Sequence, residues 1–228
     1  MIKALLFDLD DTLYPERDYI FQGFRHVARK VAEDFKIEEH RAYRELLDIF
    51  SKDRYRIFDR LVERIGEKKV SPRYVELELL PRYRGAPRKL ACYPEVPEML
   101  GRLKQSYKLG LVSNGRAEMQ EAKLQLLGLK PYFDHVEISG YYSGAKGKPS
   151  PFLFLQMLKA FAVEPEECLF VGDRPGTDGV VLSLGMPFVR IRRPGGFYNA
   201  EPSPEGTLAE INDLRELKPL LEQMEINR

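Results

Sequence analysis

The first residues of the chain place carboxylates directly after a short apolar run. Ile2 to Phe7 is apolar apart from Lys3, a pattern typical of a buried strand. Asp8 and Asp10 follow with one residue between them, so their side chains leave an extended chain on the same side. With Asp11 they crowd three acids into four residues, which is costly unless a cation or phosphate chemistry compensates their repulsion. The alternative is a solvated acidic turn.

Four more short apolar runs alternate with amphipathic helical patterns. The predicted strands cover residues 2–7, 109–112, 135–138, 169–171 and 188–191. The predicted helices cover residues 95–107, 117–127, 151–161, 177–184 and 208–224. This alternation predicts an α/β fold with a parallel sheet and helices on both faces. In such sheets ligands bind beyond the carboxyl ends of the strands.

The alternation is interrupted between about residues 14 and 90 by consecutive helical patterns. Helices are predicted over residues 19–34, 38–50, 54–65 and 72–83, where apolar residues recur at three- and four-residue steps. The block follows the first strand and ends before the second, so we expect an all-helical insertion standing over the ligand crevice. The predicted domains are a catalytic core of residues 1–14 and 91–228 and a small helical cap of residues 15–90.

Polar groups also follow three other predicted strands. The turn Ser113-Asn114-Gly115 offers a hydroxyl and backbone N–H groups at a helix start, which suit phosphate oxygens, although it is also ordinary turn chemistry. The third strand is followed by residues 144–151, in which Lys148 could neutralise a phosphate or brace a carboxylate. The fourth is followed by Asp173 and Asp178, two more carboxylates that favour a cation. These groups belong to one edge of the predicted sheet.

The charge balance argues against a nucleic-acid or membrane partner. The chain carries 36 basic and 35 acidic side chains, so no overall field attracts a polyanion. The apolar start is too short for a secretory signal, and no stretch approaches the roughly 20 apolar residues of a bilayer span, so we expect a cytoplasmic protein. Cys92 and Cys168 form no Cys-x-x-Cys pair, and a disulfide between them stays an alternative. Abundant Lys, Arg and Glu without Trp hint at a thermophilic source.

The ordered motifs resemble those of the haloacid dehalogenase superfamily, and specifically its phosphatases. Asp-x-Asp-x-Thr, Ser-Asn-Gly, Lys-Pro-x-Pro and Gly-Asp-x-x-x-x-Asp occur in this order, each at its own strand end. The resemblance covers the whole chain and implies a Rossmann-like core with a helical cap inserted after the first strand. It implies a Mg²⁺-dependent phosphomonoesterase acting on a small phosphorylated metabolite. The general pattern is similar to archaeal glyceraldehyde 3-phosphate phosphatases and to phosphoglycolate phosphatases, and the sequence does not choose among such substrates.

The same resemblance assigns catalytic roles position by position. Asp8 matches the nucleophile that becomes an aspartyl phosphate. Asp10 matches the acid–base residue, which protonates the leaving oxygen and later activates water. Ser113 matches the phosphate-binding hydroxyl, with the Asn114 backbone N–H as a helper. Lys148 matches the lysine that offsets the charge of the nucleophile and the phosphoryl group.

A Mg²⁺ site is implied by the same motifs. Asp173 matches a direct ligand, completed by an Asp8 oxygen and the Asp10 backbone carbonyl, and Asp178 matches an acid that holds a metal-bound water. Mg²⁺ prefers oxygen ligands and keeps several waters, which agrees with so few carboxylates. Its charge lets an anionic phosphate approach an anionic carboxylate.

The chain departs from the family pattern in the lysine loop, at Arg174, and at Gly179-Val180-Val181, which replaces a familiar Ile-x-Gly. The lysine loop is longer than usual, so counting forward from Ser139 selects Lys146, whereas counting back from residues 149–151 selects Lys148. We prefer Lys148 because the prolines fix the start of the next helix. Arg174 stands where a small polar residue is common, and we interpret it as solvent-facing rather than substrate-binding.

Three other functions share parts of this pattern. A phosphomutase of the superfamily would have all four motifs. A 2-haloacid dehalogenase uses an aspartate nucleophile without a metal but lacks an acid at the position of Asp10, because a halide leaving group needs no proton. A non-enzymatic receiver domain also pairs acids with a hydroxyl and a lysine, but has nothing like the insertion at residues 15–90. The phosphatase hypothesis is therefore preferred.

Overall fold

The predicted strands pair into one parallel sheet in the computed structural model, which describes residues 1–65, 71 and 73–226. The strands are β1 (Ala4–Phe7), β2 (Lys108–Ser113), β3 (His135–Ile138), β4 (Cys168–Gly172), β5 (Phe188–Ile191) and β6 (Ala209–Ile211). Their order across the sheet is β3-β2-β1-β4-β5-β6, and each neighbouring pair is parallel. The predicted α/β class with a Rossmann-like parallel sheet is confirmed.

Helices connect the strands and form the inserted block. The α-helices are α1 (Glu16–Phe35), α2 (Glu39–Lys52), α3 (Ile57–Ile65), α4 (Leu80–Arg84), α5 (Val96–Leu103), α6 (Ala117–Leu126), α7 (Phe152–Phe161), α8 (Pro175–Asp178) and α9 (Leu217–Ile226). Short 3₁₀ segments lie at Lys130–Tyr132, Ser139–Tyr141, Pro165–Glu167, Gly179–Leu184 and Leu214–Glu216. Within the described ranges, no helix is both long and apolar enough to cross a bilayer.

Strand β1 lies inside the sheet and is buried on both faces. On one face Ala4 and Leu6 belong to a hydrophobic core that includes residues of α7. On the other face Leu5 and Phe7 are fully buried as well. Because both faces are covered, the strand is a continuous apolar run rather than an alternation of apolar and polar residues.

The chain divides into two compact units. One unit consists of Met1–Glu16 with Leu90–Arg228 and contains the sheet. The other is Arg17–Lys89, whose described residues are mainly helical. Each unit has its own buried apolar residues.

The helical unit has an aromatic core. The ring centroids of Phe24, Phe58 and Tyr83 lie 5.3–6.1 Å from one another. A Cβ atom on Gly23 would lie 2.4 Å from the Tyr83 ring, so this approach of α1 requires a glycine. The Arg88 guanidinium lies 3.8 Å from the centroid of the Tyr19 ring and donates hydrogen bonds to three backbone carbonyls at 2.6–3.0 Å. Aromatic packing and one buried arginine therefore stabilise this unit.

The prediction of a single helix over residues 208–224 is wrong at its start. Ala209–Ile211 form strand β6, which extends the sheet beside β5. Three residues are too few for the spacing of apolar side chains to distinguish a strand from a helix. Their pairing with the backbone of β5 makes them a strand. Helical structure begins only after Asp213, which forms a capping box with Glu216.

Two other predicted helices differ in detail. For residues 72–83, Pro72 lies outside the described residues, and the remainder contains a π-helical turn, Val75–Leu79, that leads into α4. Pro81 has no N–H to donate to the preceding turn, which interrupts a regular α-helical ladder. The helix predicted over residues 177–184 is the short α8 followed by the 3₁₀ segment Gly179–Leu184.

A buried arginine in the loop after β5 contacts the turn after β1. Arg193, 2 % exposed, donates from Nε and Nη2 to the Thr12 carbonyl at 3.0 and 2.8 Å. Its Nη1 forms an ion pair of 2.5 Å with the buried Glu95 carboxylate. The guanidinium also lies 4.1 Å from the centroid of the Tyr93 ring. These contacts hold the segment that follows Asp8 and Asp10.

We expect Arg193→Met to destabilise the protein strongly. The substitution leaves the buried Glu95 carboxylate without its cation, a change that costs about 3–5 kcal/mol. Urea unfolding measures the loss. Arg102→Met is the matched control, because Arg102 pairs with Glu98 on the surface and should change the free energy of unfolding by less than about 1 kcal/mol. Equal effects of the two substitutions would contradict this account of Arg193.

Candidate active site

The acidic ends of β1 and β4 meet because these two strands are neighbours in the sheet. Asp8 directly follows β1, and its backbone N–H donates to the Val171 carbonyl of β4 at 2.9 Å. Asp173 directly follows β4, and Asp178 is the last residue of α8. Single carboxylate oxygens of Asp8, Asp173 and Asp178 all lie within 4.8 Å of one another, and all three residues are buried. We call these three residues the acidic cluster.

Lys148 places its ammonium group between two members of the acidic cluster. Its Nζ donates to Asp8 Oδ1 at 2.6 Å and to Asp178 Oδ1 at 2.7 Å, and the residue is 6 % exposed. Lys146, the alternative from loop counting, is only half-buried, and its Nζ lies 4.5 Å from the centroid of the Phe152 ring. The structure therefore brings Lys148, and not Lys146, to the carboxylates.

The three residues of the Ser-Asn-Gly turn at the end of β2 play different structural parts. The Asn114 side chain donates to the Lys148 carbonyl and accepts from the Lys148 N–H, both at 2.8 Å. The buried Ser113 Oγ accepts a hydrogen bond from Gln120 Nε2 at 2.6 Å. Gly115 has a φ of +146°, a conformation that favours glycine. Asn114 thus holds the lysine loop with its side chain, beside the backbone role that the family resemblance gives it.

The Asp10 carboxylate faces a different set of partners. Oδ1 accepts hydrogen bonds from Lys123 Nζ at 2.6 Å and from the Tyr14 hydroxyl. Oδ2 accepts from Gln120 Nε2 at 2.9 Å. Lys123 is 4 % exposed and Gln120 is 2 % exposed, so this network is buried. The Asp10 carboxylate is not a member of the acidic cluster, and its predicted contribution to a metal site is its backbone carbonyl.

Tyr14, Gln120 and Lys123 are site residues that the sequence analysis did not select. Gln120 and Lys123 are one helical turn apart on α6 and are buried beside Leu124. Two polar side chains in line with a buried leucine, on the helix that follows the Ser-Asn-Gly turn, are the signal that could have identified them. Tyr14 lies four residues after Asp10, in a segment that sequence patterns treat only as the exit from the core.

The third acid of the first motif has structural contacts. Asp11 accepts hydrogen bonds from the backbone N–H groups of Glu16 at 2.9 Å and Phe197 at 3.1 Å. Its φ of +50° is one that Asp tolerates better than most residues. Asp11 therefore connects the turn after β1 to the loop after β5.

Burial and nearby charges shift the pKa values of Asp8 and Asp10 in opposite directions. Burial raises the pKa of Asp8 to about 7, and the nearby charges of Asp178 and Asp10 add to the rise, while Lys148 opposes it. Burial also raises the pKa of Asp173 well above its usual value, with a further contribution from Asp178. Burial would raise the pKa of Asp10 too, but Lys123 and the other donors around this carboxylate outweigh it, and its pKa is lowered.

A small cavity opens onto these groups. Its volume is about 100 Å³, and it is lined by Asp8, Asp10, Glu16, Asn114, Lys148, Asp173, Arg174, Thr177, Asp178 and Tyr198. Arg174 is exposed, and its guanidinium lies 4.5 Å from the centroid of the Tyr198 ring. The cavity is well below the roughly 300–1,000 Å³ of sites that enclose drug-sized ligands, so it suits a small group such as a phosphoryl group.

The donor set of the acidic cluster fits a hard divalent cation. When all groups are ionised, its three carboxylates and Lys148 leave two negative charges in a buried place. Carboxylate oxygens are the ligands that Mg²⁺ prefers. The raised pKa values of Asp8 and Asp173 reflect an unfavourable burial of negative charge that a bound cation would relieve.

The strand order and the acidic strand ends define an α/β enzyme with its site at the carboxyl edge of a parallel sheet. Residues 2–179 match the family model described as haloacid dehalogenase-like hydrolase. The chain therefore belongs to the haloacid dehalogenase-like hydrolases.

Two relatives that match nearly the whole chain are named phosphatases. The chain is 34% identical to a glyceraldehyde 3-phosphate phosphatase of Methanopyrus kandleri, over 98% of this chain and 99% of the relative. It is 30% identical to a glyceraldehyde 3-phosphate phosphatase of Methanocaldococcus jannaschii, with the same coverage. A crystal structure of a phosphatase of this superfamily from Thermococcus onnurineus superposes with a TM-score of 0.68 at 30% identity, covering 96% of this chain and 98% of that one.

We expect Lys148→Met to destabilise the metal-free protein far more than Lys146→Met. Loss of the Lys148 ammonium leaves buried carboxylates unpaired, at a cost of about 3–5 kcal/mol. Loss of the Lys146 ammonium removes one partly exposed contact with an aromatic ring, worth less than about 1 kcal/mol. Urea unfolding in EDTA measures both. A larger effect of Lys146→Met would contradict the placement of Lys148 at the acidic cluster.

Proposed function

We propose that the protein is a Mg²⁺-dependent phosphomonoesterase that acts on a small phosphorylated metabolite through an aspartyl-phosphate intermediate. The observation that carries the proposal is the buried contact of Asp8 with Lys148, next to Asp173 and Asp178. This arrangement supports roles for a carboxylate nucleophile, a fixed cation and a divalent ion at one edge of the sheet.

The first chemical step in this proposal belongs to Asp8. One Asp8 oxygen attacks phosphorus, the bond from phosphorus to the ester oxygen breaks, and an acyl phosphate forms. The Lys148 ammonium, 2.6 Å from Asp8 Oδ1, offsets negative charge on the carboxylate and on the phosphoryl group. Mg²⁺ held by oxygens of Asp8 and Asp173 and by the Asp10 carbonyl, with Asp178 nearby, would neutralise phosphate charge.

Asp10 is proposed as the acid–base residue. As an acid it gives a proton to the leaving alkoxide, and as a carboxylate it then takes a proton from the water that cleaves the acyl phosphate. The lowered pKa keeps the resting Asp10 in the carboxylate form, so the proton it donates must be acquired with the substrate. Ser113 and the Asn114 backbone N–H are proposed to bind phosphate oxygens.

The substrate class rests on the relatives and on the size of the cavity. Relatives from other sources are named phosphoserine phosphatase, from Thermus thermophilus, and phosphoglycolate phosphatase, from Aquifex aeolicus. Together with the glyceraldehyde 3-phosphate phosphatases, these names describe phosphate esters of small molecules. We propose that the helical unit selects the organic group, as the cap does in the family that this chain resembles.

The Asp10 carboxylate argues against dehalogenation. Halide leaves without a proton, whereas Asp10 is built into a buried network of Lys123, Tyr14 and Gln120. A receiver domain would be recognised by a stable aspartyl phosphate without turnover, and a phosphomutase by transfer between positions of a sugar phosphate instead of release of phosphate.

We expect hydrolysis of an aryl phosphate to require a divalent cation. EDTA should abolish release of the phenol, and added Mg²⁺ should restore it, because the acidic cluster carries excess negative charge that repels a phosphate ester. The assay is run beside chloride release from 2-chloropropionate as the comparison reaction. Halide release that is insensitive to EDTA, without hydrolysis of the aryl phosphate, would support the dehalogenase alternative.

We expect Asp8→Asn to lower kcat by several orders of magnitude, because the amide is not a nucleophile towards phosphorus. Steady-state kinetics with the aryl phosphate measures the loss, and far-UV circular dichroism checks the fold. Asp53→Asn, at an exposed position of the helical unit, is the matched control and should keep kcat within about twofold. Near-normal turnover by Asp8→Asn would overturn the assignment of the nucleophile.

A further inference from the structure

We propose that Gln120 is a positioning residue that turns the Ser113 hydroxyl into a hydrogen-bond donor for the phosphoryl group. The inference rests on the proposed function, since it concerns how that site binds phosphate. It is carried by one side-chain amide that contacts both the acid–base residue and the phosphate-binding hydroxyl. Gln120 lies on α6, outside the four motifs.

The orientation of the Gln120 amide is fixed by Asp10. Nε2 lies 2.9 Å from Asp10 Oδ2 and 2.6 Å from Ser113 Oγ. An ionised carboxylate has no proton to donate, so only the NH₂ end of the amide can face it. The same nitrogen has a second proton, which is directed to Ser113. The Ser113 oxygen is therefore an acceptor in this contact.

A hydroxyl that accepts in this way keeps its own proton for another partner. Ser113 is 1 % exposed at the end of β2, and among the residues that the structure describes its Oγ donates to no group. The ionised oxygens of a phosphate group can only accept hydrogen bonds, so this proton is available to one of them. An acceptor at position 120 would instead compete with phosphate for it.

Two neighbours keep Gln120 in place. Lys123 Nζ takes the other Asp10 oxygen, Oδ1, at 2.6 Å, which leaves Oδ2 to the amide. A Cβ atom on residue 115 would lie 3.0 Å from both Cγ and Cδ of Gln120, so the glycine of the Ser-Asn-Gly turn leaves room for this side chain. Lys123 and Gly115 therefore both favour the observed position of Gln120.

The test is a double-mutant cycle of Gln120→Glu and Ser113→Ala, read out as competitive inhibition by inorganic phosphate. Glu at position 120 presents an oxygen to Ser113, so the inhibition constant of phosphate should rise about tenfold or more, as expected for a lost hydrogen bond to a charged group. In the Ser113→Ala background the same substitution should change it by less than about twofold, because no hydroxyl remains to be turned. A general effect of added charge would persist in that background.

Two further variants complete the experiment. Gln125→Glu adds the same charge at an exposed position of α6 and should leave phosphate inhibition unchanged. Gln120→Met removes the donor that holds Ser113 as an acceptor but adds neither charge nor a competing carboxylate oxygen, so the inhibition constant should rise by less than with Gln120→Glu. It replaces Gln120→Glu in the cycle if the latter does not fold by circular dichroism. Its effect on phosphate inhibition should likewise vanish with Ser113→Ala.

The outcomes separate this inference from the proposed function. Equal shifts of the inhibition constant in both backgrounds, or no shift in either, would overturn the role of Gln120 while leaving the phosphatase in place. A wild-type protein that neither hydrolyses the aryl phosphate nor is inhibited by phosphate would overturn both.

Discussion

The Lys148 ammonium group is the contact on which the acidic edge of the sheet depends. Asp8 and Asp178 are buried against it at 2.6 and 2.7 Å, and removing such carboxylates from water is unfavourable by several kcal/mol each unless they are paired. The lysine follows β3, its loop is held by Asn114 after β2, and its partners follow β1 and β4. These elements converge only because β1 lies between β2 and β4 in a parallel sheet.

Much of this arrangement can be predicted from sequence, for a physical reason. Strands covered on both faces are continuous apolar runs, and polar groups that directly follow them must lie at the carboxyl edge. Loop length, by contrast, does not decide between Lys146 and Lys148; the two hydrogen bonds between the Asn114 side chain and the Lys148 backbone do. Strand β6 could not be predicted from the sequence either. Its three residues carry no periodic signal, and their pairing with β5 is a long-range contact.

Gln120 and Lys123 show a different limit of sequence patterns. Polar residues on a helix are solvated by default, so the alignment of a glutamine and a lysine with a leucine on α6 is only a weak sign of their burial. Their burial depends on the Asp10 carboxylate, which lies more than a hundred residues earlier in the sequence. It also depends on Gly115, whose lack of a side chain leaves room for Gln120. Only tertiary structure joins these features into one network.

Asp8 and Asp10 are two residues apart and line the same cavity, yet their surroundings shift their pKa values in opposite directions. Asp8 is buried among other carboxylates with a single lysine, and its pKa is raised to about 7. Asp10 receives hydrogen bonds from Lys123, Tyr14 and Gln120, and its pKa is lowered. Without a bound cation, burial therefore favours the protonated form of Asp8, whereas the donors around Asp10 favour its carboxylate form. Asp8, the proposed nucleophile, therefore depends on Lys148 and a bound cation to be held as a carboxylate, whereas Asp10, the proposed acid–base residue, is held as a carboxylate by its own hydrogen-bond donors.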